Sequence, residues 1–185
     1  MAAVESMMLA LGTRAPDFSL PDTVKGDIVS LADIRSGVAT VIMFICNHCP
    51  YVKHIQQELV RLAKDYMAKG VSFAAISSND IIGYPEDSPE RMKELALHLG
   101  FPFPYLYDES QDVARSYKAV CTPDFFVFDR DLMLAYRGQM DSSRPGNSIP
   151  VDAKDIRAAL DSIIEGKPVS QKQIPSIGCS IKWKK

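Results

Sequence analysis

A chain of 185 residues with 46% hydrophobic side chains can bury one substantial core, which predicts a single domain over residues 1–185. Its 21 Lys and Arg against 23 Asp and Glu give a net charge of −2, and only the closing SIKWKK is locally basic, which argues against nucleic acid as a partner. No run approaches about 18 apolar residues, and SMMLAL lacks the basic flank and length of a signal segment, so the expectation is a soluble, cytoplasmic chain without a membrane partner.

In chain order, Phe18 and Leu20, then Ile28, Val29 and Leu31, flank the polar turn PDTVKGD, the pattern of a β-hairpin within an N-terminal extension over 12–34. Ser30 followed by LADIRSG predicts a single helical turn. Val38–Pro50, VATVIMFICNHCP, is an apolar, β-branched run ending in two cysteines separated by two residues. The next stretch places Val52, Ile55, Leu59, Leu62, Ala63 and Tyr66 on one helical face and stops at Gly70. Val71–Ser77 is a continuous apolar run suited to a parallel strand, which completes a βαβ unit.

The loop SNDIIGYPED leads to Ser88 and Pro89, a cap and a first-turn proline, and a helix ending at Gly100. Phe101–Tyr107 is proline-interrupted and predicts a brief edge strand, and Gln111–Tyr117 a short helix. Phe125–Phe128 and Leu132–Arg137 surround a charged turn and should pair antiparallel. Asp152–Glu165 is amphipathic and closes at Gly166, whereas the tail 167–185 shows no period. The edge near Pro102–Tyr107 and the tail leave room for dimer contacts, so a monomer and a homodimer are both open.

Cysteines where a strand turns into a helix have a specific chemistry. A helix N-terminus offers unpaired N–H groups and a positive dipole end, both favourable to a thiolate. Cys46, first of the pair, is the expected nucleophile, its pKa lowered into the range of roughly 3.5–7.5 seen in such contexts. Four cysteines are too few to scaffold a chain of this size, which leaves catalytic or metal-binding use.

The strand–CxxC–helix opening of a βαβ unit, followed by a helix, an X-Pro-led strand, its hairpin partner and a last helix, resembles the thioredoxin-fold superfamily. APDFSLPDT and DESQDVARSYKAVCTPDFFVFD are similar to its peroxiredoxin-like and thiol-disulfide oxidoreductase branch (redoxin, AhpC/TSA-like). The resemblance implies a three-layer α/β/α fold with a mixed central sheet, the thioredoxin core running over 38–166. It further implies Cys49 as the resolving thiol, a cis-proline at Pro123, and Thr122 with Pro123 presenting backbone to a substrate strand. Protein or small-molecule disulfides and thiols would be the partners, with thioredoxin or glutathione as reductant, and no cofactor. Peroxiredoxins carry a threonine three residues and a proline seven residues before their reactive cysteine; here Met43 and Ala39 stand there, so dithiol exchange leads over peroxide reduction.

Asn47, His48 and Pro50 are candidate tuning residues: His48 by bonding to or charge-stabilising the Cys46 thiolate, with a solvent-facing ring as the alternative, and Asn47 by an amide hydrogen bond or simply by forming the turn. Cys121, two residues before Pro123, and Cys179, in the tail, are candidate further redox thiols, with inert packing as the alternative for each. His54 and His98 are expected on helical surfaces. The strand contains no carboxylate to accept a proton, and neither Glu58 nor Asp80 is singled out. From a different class, several thiolates could hold a metal in a binding protein or metallochaperone, although no metal ligand is assigned.

Overall fold

The computed structural model describes residues 3–184; Met1, Ala2 and Lys185, which the single-domain boundaries include, lie outside the described residues. The chain opens with β1 (Ala3–Glu5), which no sequence pattern had announced. The predicted hairpin follows as β2 (Ser19–Pro21) paired antiparallel with β3 (Ile28–Ser30). The helical turn is α1 (Leu31–Ile34), started by a reciprocal cap in which Asp33 N donates to Ser30 Oγ and Ser30 N donates to Asp33 Oδ2.

The βαβ unit is β4 (Ala39–Phe44), α2 (Pro50–Met67) and β5 (Ser72–Ser77), with β4 and β5 parallel. A 3-10 turn at Pro85–Asp87 interrupts the long loop before α3 (Pro89–Leu99), which ends at Gly100 in the left-handed conformation. Next come β6 (Tyr105–Tyr107), α4 (Asp112–Ser116), β7 (Cys121–Thr122), β8 (Asp124–Asp129), β9 (Leu134–Gly138), α5 (Lys154–Ile164) and β10 (Ile177–Ser180). The last helix starts two residues later than its periodicity predicts, because Ala153 takes a left-handed backbone with φ of 55°.

The central sheet runs β6-β5-β4-β8-β9, parallel on the β5 side and antiparallel on the β8 side. Alternation along β4 divides the core. Val41 and Met43, with Phe73 and Phe125, pack beneath α2, α3 and α5. Ile42 and Phe44, with Ile76 and Phe126, pack against α1, α4 and the N-terminal hairpin. Every residue of β4 is buried, which is why its sequence is a continuous apolar run. The expected three-layer α/β/α fold with a mixed sheet and an N-terminal hairpin is present.

As expected, β6 is a brief edge strand, and the turn of the hairpin lies along it, Thr23 N donating to Tyr105 O at 3.0 Å. One expectation is corrected. The tail is not aperiodic: β10 lies between β1 and β7 in a three-stranded antiparallel sheet. A strand of this length offers too few residues for alternation to register, and Gly178 removes one of them. That glycine is required here, because a Cβ would lie 1.9 Å from the Thr122 carbonyl oxygen.

Candidate functional site

Beyond β4 the chain stays in the sheet for one more residue, Ile45 N donating to Ile76 O at 3.0 Å, and then turns at Cys46. The turn is held from outside by Asp87. Its Oδ1 accepts from Asn47 N at 2.7 Å and from His48 N at 3.2 Å. The Asn47 side chain donates to Glu86 O at 2.9 Å and accepts from Tyr105 Oη at 3.1 Å, so it braces the turn and does not face the thiols. Pro50 is the first residue of α2, where a missing N–H costs nothing, and Cys49 is therefore the N-cap.

Both thiols are buried, Cys46 at 1% and Cys49 at 0% exposure, against the corner formed by Thr122 and the cis-peptide-linked Pro123. The Thr122 hydroxyl lies 3.3 Å from Cys46 Sγ, and the Thr122 carbonyl oxygen lies 3.2 Å from Cys49 Sγ. The hydrogen bond between the two thiols favours charge on Cys49 over Cys46, opposite in direction to the lowered Cys46 pKa expected. The hydrogen bond to Cys49, then burial and the Asp87 carboxylate, push the Cys46 thiol well above its ordinary range, with the Thr122 hydroxyl opposing them. The Cys46 hydrogen bond holds Cys49 down to about 5 against burial, helped by the Cys179 thiol and the backbone amides of Val52 and Cys179. The two thiols therefore titrate as a pair, with charge disfavoured on Cys46 and favoured on Cys49. The Thr122 carbonyl marks the second proton position: a protonated Cys49 can donate to it while the Thr122 hydroxyl supports a charged Cys46.

His48 forms no hydrogen bond to Cys46 and is only partly exposed. Its Nδ1 lies 2.6 Å from Asp87 Oδ2, its ring stacks on Tyr84 with centroids 5.1 Å apart, and its buried Nε2 has no protein partner. The Asp87 hydrogen bond raises the His48 pKa. Burial disfavours charge on Asp87, but donors from His48, Asn79 and Asn47 together hold its carboxyl below the ordinary range. Asn79 Nδ2 donates to Asp87 Oδ2 at 2.7 Å while its Oδ1 accepts from Lys182 N at 2.8 Å, so the network reaches the residue just beyond β10. The Cys46 sulfur, a His48 ring nitrogen and an Asp87 oxygen lie within 4.8 Å of one another.

The other candidates separate clearly. Cys179 sits opposite Thr122, whose carbonyl oxygen meets Cys49 Sγ, in the β10–β7 pairing, so the tail strand pairs along the Thr122 backbone that was expected to be presented to a substrate strand. Cys121 is buried with its thiol directed to Pro123 O at 3.8 Å, and burial raises its pKa. His54 Nε2 bonds to Ser143 Oγ at 2.7 Å and His98 is exposed. Glu58 forms ion pairs with Arg61 and Arg157, and Asp80 caps the amides of Ile82 and Gly83.

The residues that pattern reading missed are Asp87, Asn79 and Asp124. Asp124 is buried directly after the cis-proline, accepts from Ser6 Oγ at 3.0 Å, and is pushed up to about 7 by burial. An acid opening the apolar run DFFVF was its one visible signal. Asp87 had none, since it lies in a turn-rich loop 38 residues beyond Cys49.

A sequence model of the AhpC/TSA family matches residues 11–137. The chain is 23% identical over 157 residues to the thiol:disulfide interchange protein DsbE of Allochromatium vinosum, covering 83% of this chain and 77% of that protein. Among solved structures, an uncharacterized conserved protein from Geobacillus kaustophilus is 66% identical with a TM-score of 0.98, covering 100% of this chain and 97% of that one. A hypothetical protein from Sinorhizobium meliloti 1021 is 46% identical with a TM-score of 0.95, covering 97% and 98%.

Proposed function

Since this chain belongs to the AhpC/TSA family of thiol oxidoreductases, we propose that it exchanges dithiols and disulfides through Cys46 and Cys49. The observation that carries the reading is the burial of two thiols at the Thr122-Pro123 corner, where the Thr122 hydroxyl lies 3.3 Å from Cys46 Sγ and the Thr122 carbonyl oxygen 3.2 Å from Cys49 Sγ. The name of the DsbE relative, a thiol:disulfide interchange protein, supports it.

Cys46 is the entry point in this reading because the two residues that follow it, Asn47 and His48, line an open groove of about 710 Å³. A proton moves from Cys46 to Cys49, whose thiol then donates to the Thr122 carbonyl. The Cys46 thiolate attacks a disulfide R–S–S–R, forming Cys46–S–S–R and releasing a thiolate that takes a proton from solvent. Cys49 loses its proton and attacks Cys46 Sγ, giving the Cys46–Cys49 disulfide and a second R–SH. Two electrons pass from protein to substrate, and the reverse sequence oxidises a substrate dithiol. Asn47, His48 and Pro50 hold the turn, and Asp87, by disfavouring charge on Cys46, biases the centre toward its protonated state. Protein or small-molecule disulfides are the substrates and a thioredoxin or glutathione system in the cytoplasm is the reductant in this reading.

Equilibration across graded glutathione redox buffers, with thiol trapping and peptide mapping, tests the proposal. A reversible Cys46–Cys49 disulfide is the expected result, and its absence at every poise would overturn the reading. A thiolate metal site is the second reading, favoured by the grouping of Cys46, His48 and Asp87. About one equivalent of metal retained after chelator-free purification, together with an unreactive dithiol, would replace exchange by metal binding.

A further inference from the structure

The third sulfur at this site is the one the dithiol mechanism leaves unused. Cys179 is 4% exposed and lies opposite Thr122 in the antiparallel β10–β7 register. Cys49 Sγ is 3.2 Å from the carbonyl oxygen of that same Thr122, and α2 packs against β10. Gly178 permits this approach, since any side chain there would strike the Thr122 backbone. Thr122 thereby gathers three cysteines: its hydroxyl meets Cys46, its carbonyl meets Cys49, and its register partner is Cys179. The tail strand occupies the antiparallel position of a substrate strand along Thr122 and presents a cysteine to the dithiol, as a bound substrate would.

We propose that Cys179 is a third redox thiol of this centre, which attacks Cys49 in the Cys46–Cys49 disulfide to form an internal Cys49–Cys179 bond and release Cys46. The inference rests on the dithiol reading above. The step is an isomerisation. The S–S bond between Cys46 and Cys49 breaks, a bond between Cys49 and Cys179 forms, and the proton lost by Cys179 is taken up by the Cys46 thiolate. No external oxidant enters, and Cys46 regains a free thiol while the oxidising equivalent is stored beneath it. The electrostatics favour this order of events. In the reduced protein burial, followed by the hydrogen bond and charge of Cys49, pushes Cys179 up to about 12. Once Cys49 is in a disulfide its charge is gone, and only burial still opposes ionisation of Cys179, with Lys182 assisting it.

Peptide mapping of the full-length variants Cys46→Ser and Cys46→Ala tests the step. Each is treated with glutathione disulfide, which supplies the two-electron oxidation and leaves as two equivalents of glutathione, and is then acid-quenched and trapped. A Cys49–Cys179 linked peptide in most molecules of both variants is expected, with loss of the link in Cys46→Ser/Cys179→Ser. Cys49 recovered as free thiol, as a glutathione adduct only, or linked to Cys121 would overturn the proposal. Circular dichroism confirms that each variant is folded, and the alanine variant serves if the serine one is not. Wild-type protein mapped in parallel separates the two readings: a Cys46–Cys49 bond in wild type without a Cys49–Cys179 bond in the variants removes only this step, whereas no bond to Cys46 in wild type removes the dithiol reading itself.

Discussion

His48 Nδ1 and Asp87 Oδ2 stand 2.6 Å apart, and through this contact a residue of the CxxC turn is locked to a loop 39 positions away. Asp87 also accepts from two backbone amides of the turn and from Asn79, so the carboxylate is the hub of the arrangement. Its raised His48 pKa contributes stability that is full below the unfolded value of about 6.5 and is lost as pH rises through the folded value. Its own lowered pKa contributes stability present above about 3.9 and lost as pH falls through the folded value. In Asp87→Asn the His48 ring titration, followed by NMR, should move down. Urea unfolding at neutral pH should show a loss of about 3 kcal/mol, because the new amide turns a donor toward Asn79. An unmoved His48 titration would show the contact to be dispensable.

The paired titration of Cys46 and Cys49 predicts where thiolate absorbance at 240 nm arises. Reduced wild-type protein should show about one thiolate at neutral pH, with a midpoint near 5. Cys46→Ala removes the leading donor to Cys49 and should raise the midpoint. Cys49→Ala should abolish the neutral-pH band, because burial and Asp87 still disfavour charge on Cys46. The opposite pattern would put the resting charge on Cys46.

Asp124 makes stability fall with pH. Its carboxyl, pushed up to about 7 by burial, contributes stability that is full below about 3.9 and is lost as pH rises through about 7, at up to about 1.4 kcal/mol per pH unit. Asp124→Asn should remove this slope, so that variant and wild-type stabilities, measured by urea unfolding, diverge in favour of the variant between pH 4 and 7. Parallel pH profiles would be inconsistent with a buried, protonated Asp124.

Gly178→Ala should cost about 3 kcal/mol in the same assay, since the added methyl would lie 1.9 Å from a backbone oxygen that cannot swing aside. It should also weaken any link between Cys49 and Cys179. A neutral effect would mean that the tail strand yields easily.

The central fold was legible because its signals are local and redundant. The apolar run of β4, the helical spacing of α2 and the proline-led β8 each appear within a segment of 18 residues or fewer. The dithiol was visible for the same reason. Its charge distribution was not, because that depends on the hydrogen bond between the two thiols and on an acid from a distant loop. Asp87 looked like any turn aspartate. Cys179 lay in a segment whose pairing is dictated by β1 and β7, strands of three and two residues, too short for any periodicity to reveal.

β10 is hydrogen-bonded on both edges, to β1 on one side and to β7 on the other, which ties the first and last strands of the described chain to the proline corner. Ligand-binding segments usually belong to the least stable part of a protein. Here the wall behind the thiols belongs to a three-stranded sheet that joins the first and last described strands, so amide hydrogens of residues 177–181 should exchange only when that sheet opens. Access to the sulfurs from the tail side should therefore require that sheet to open.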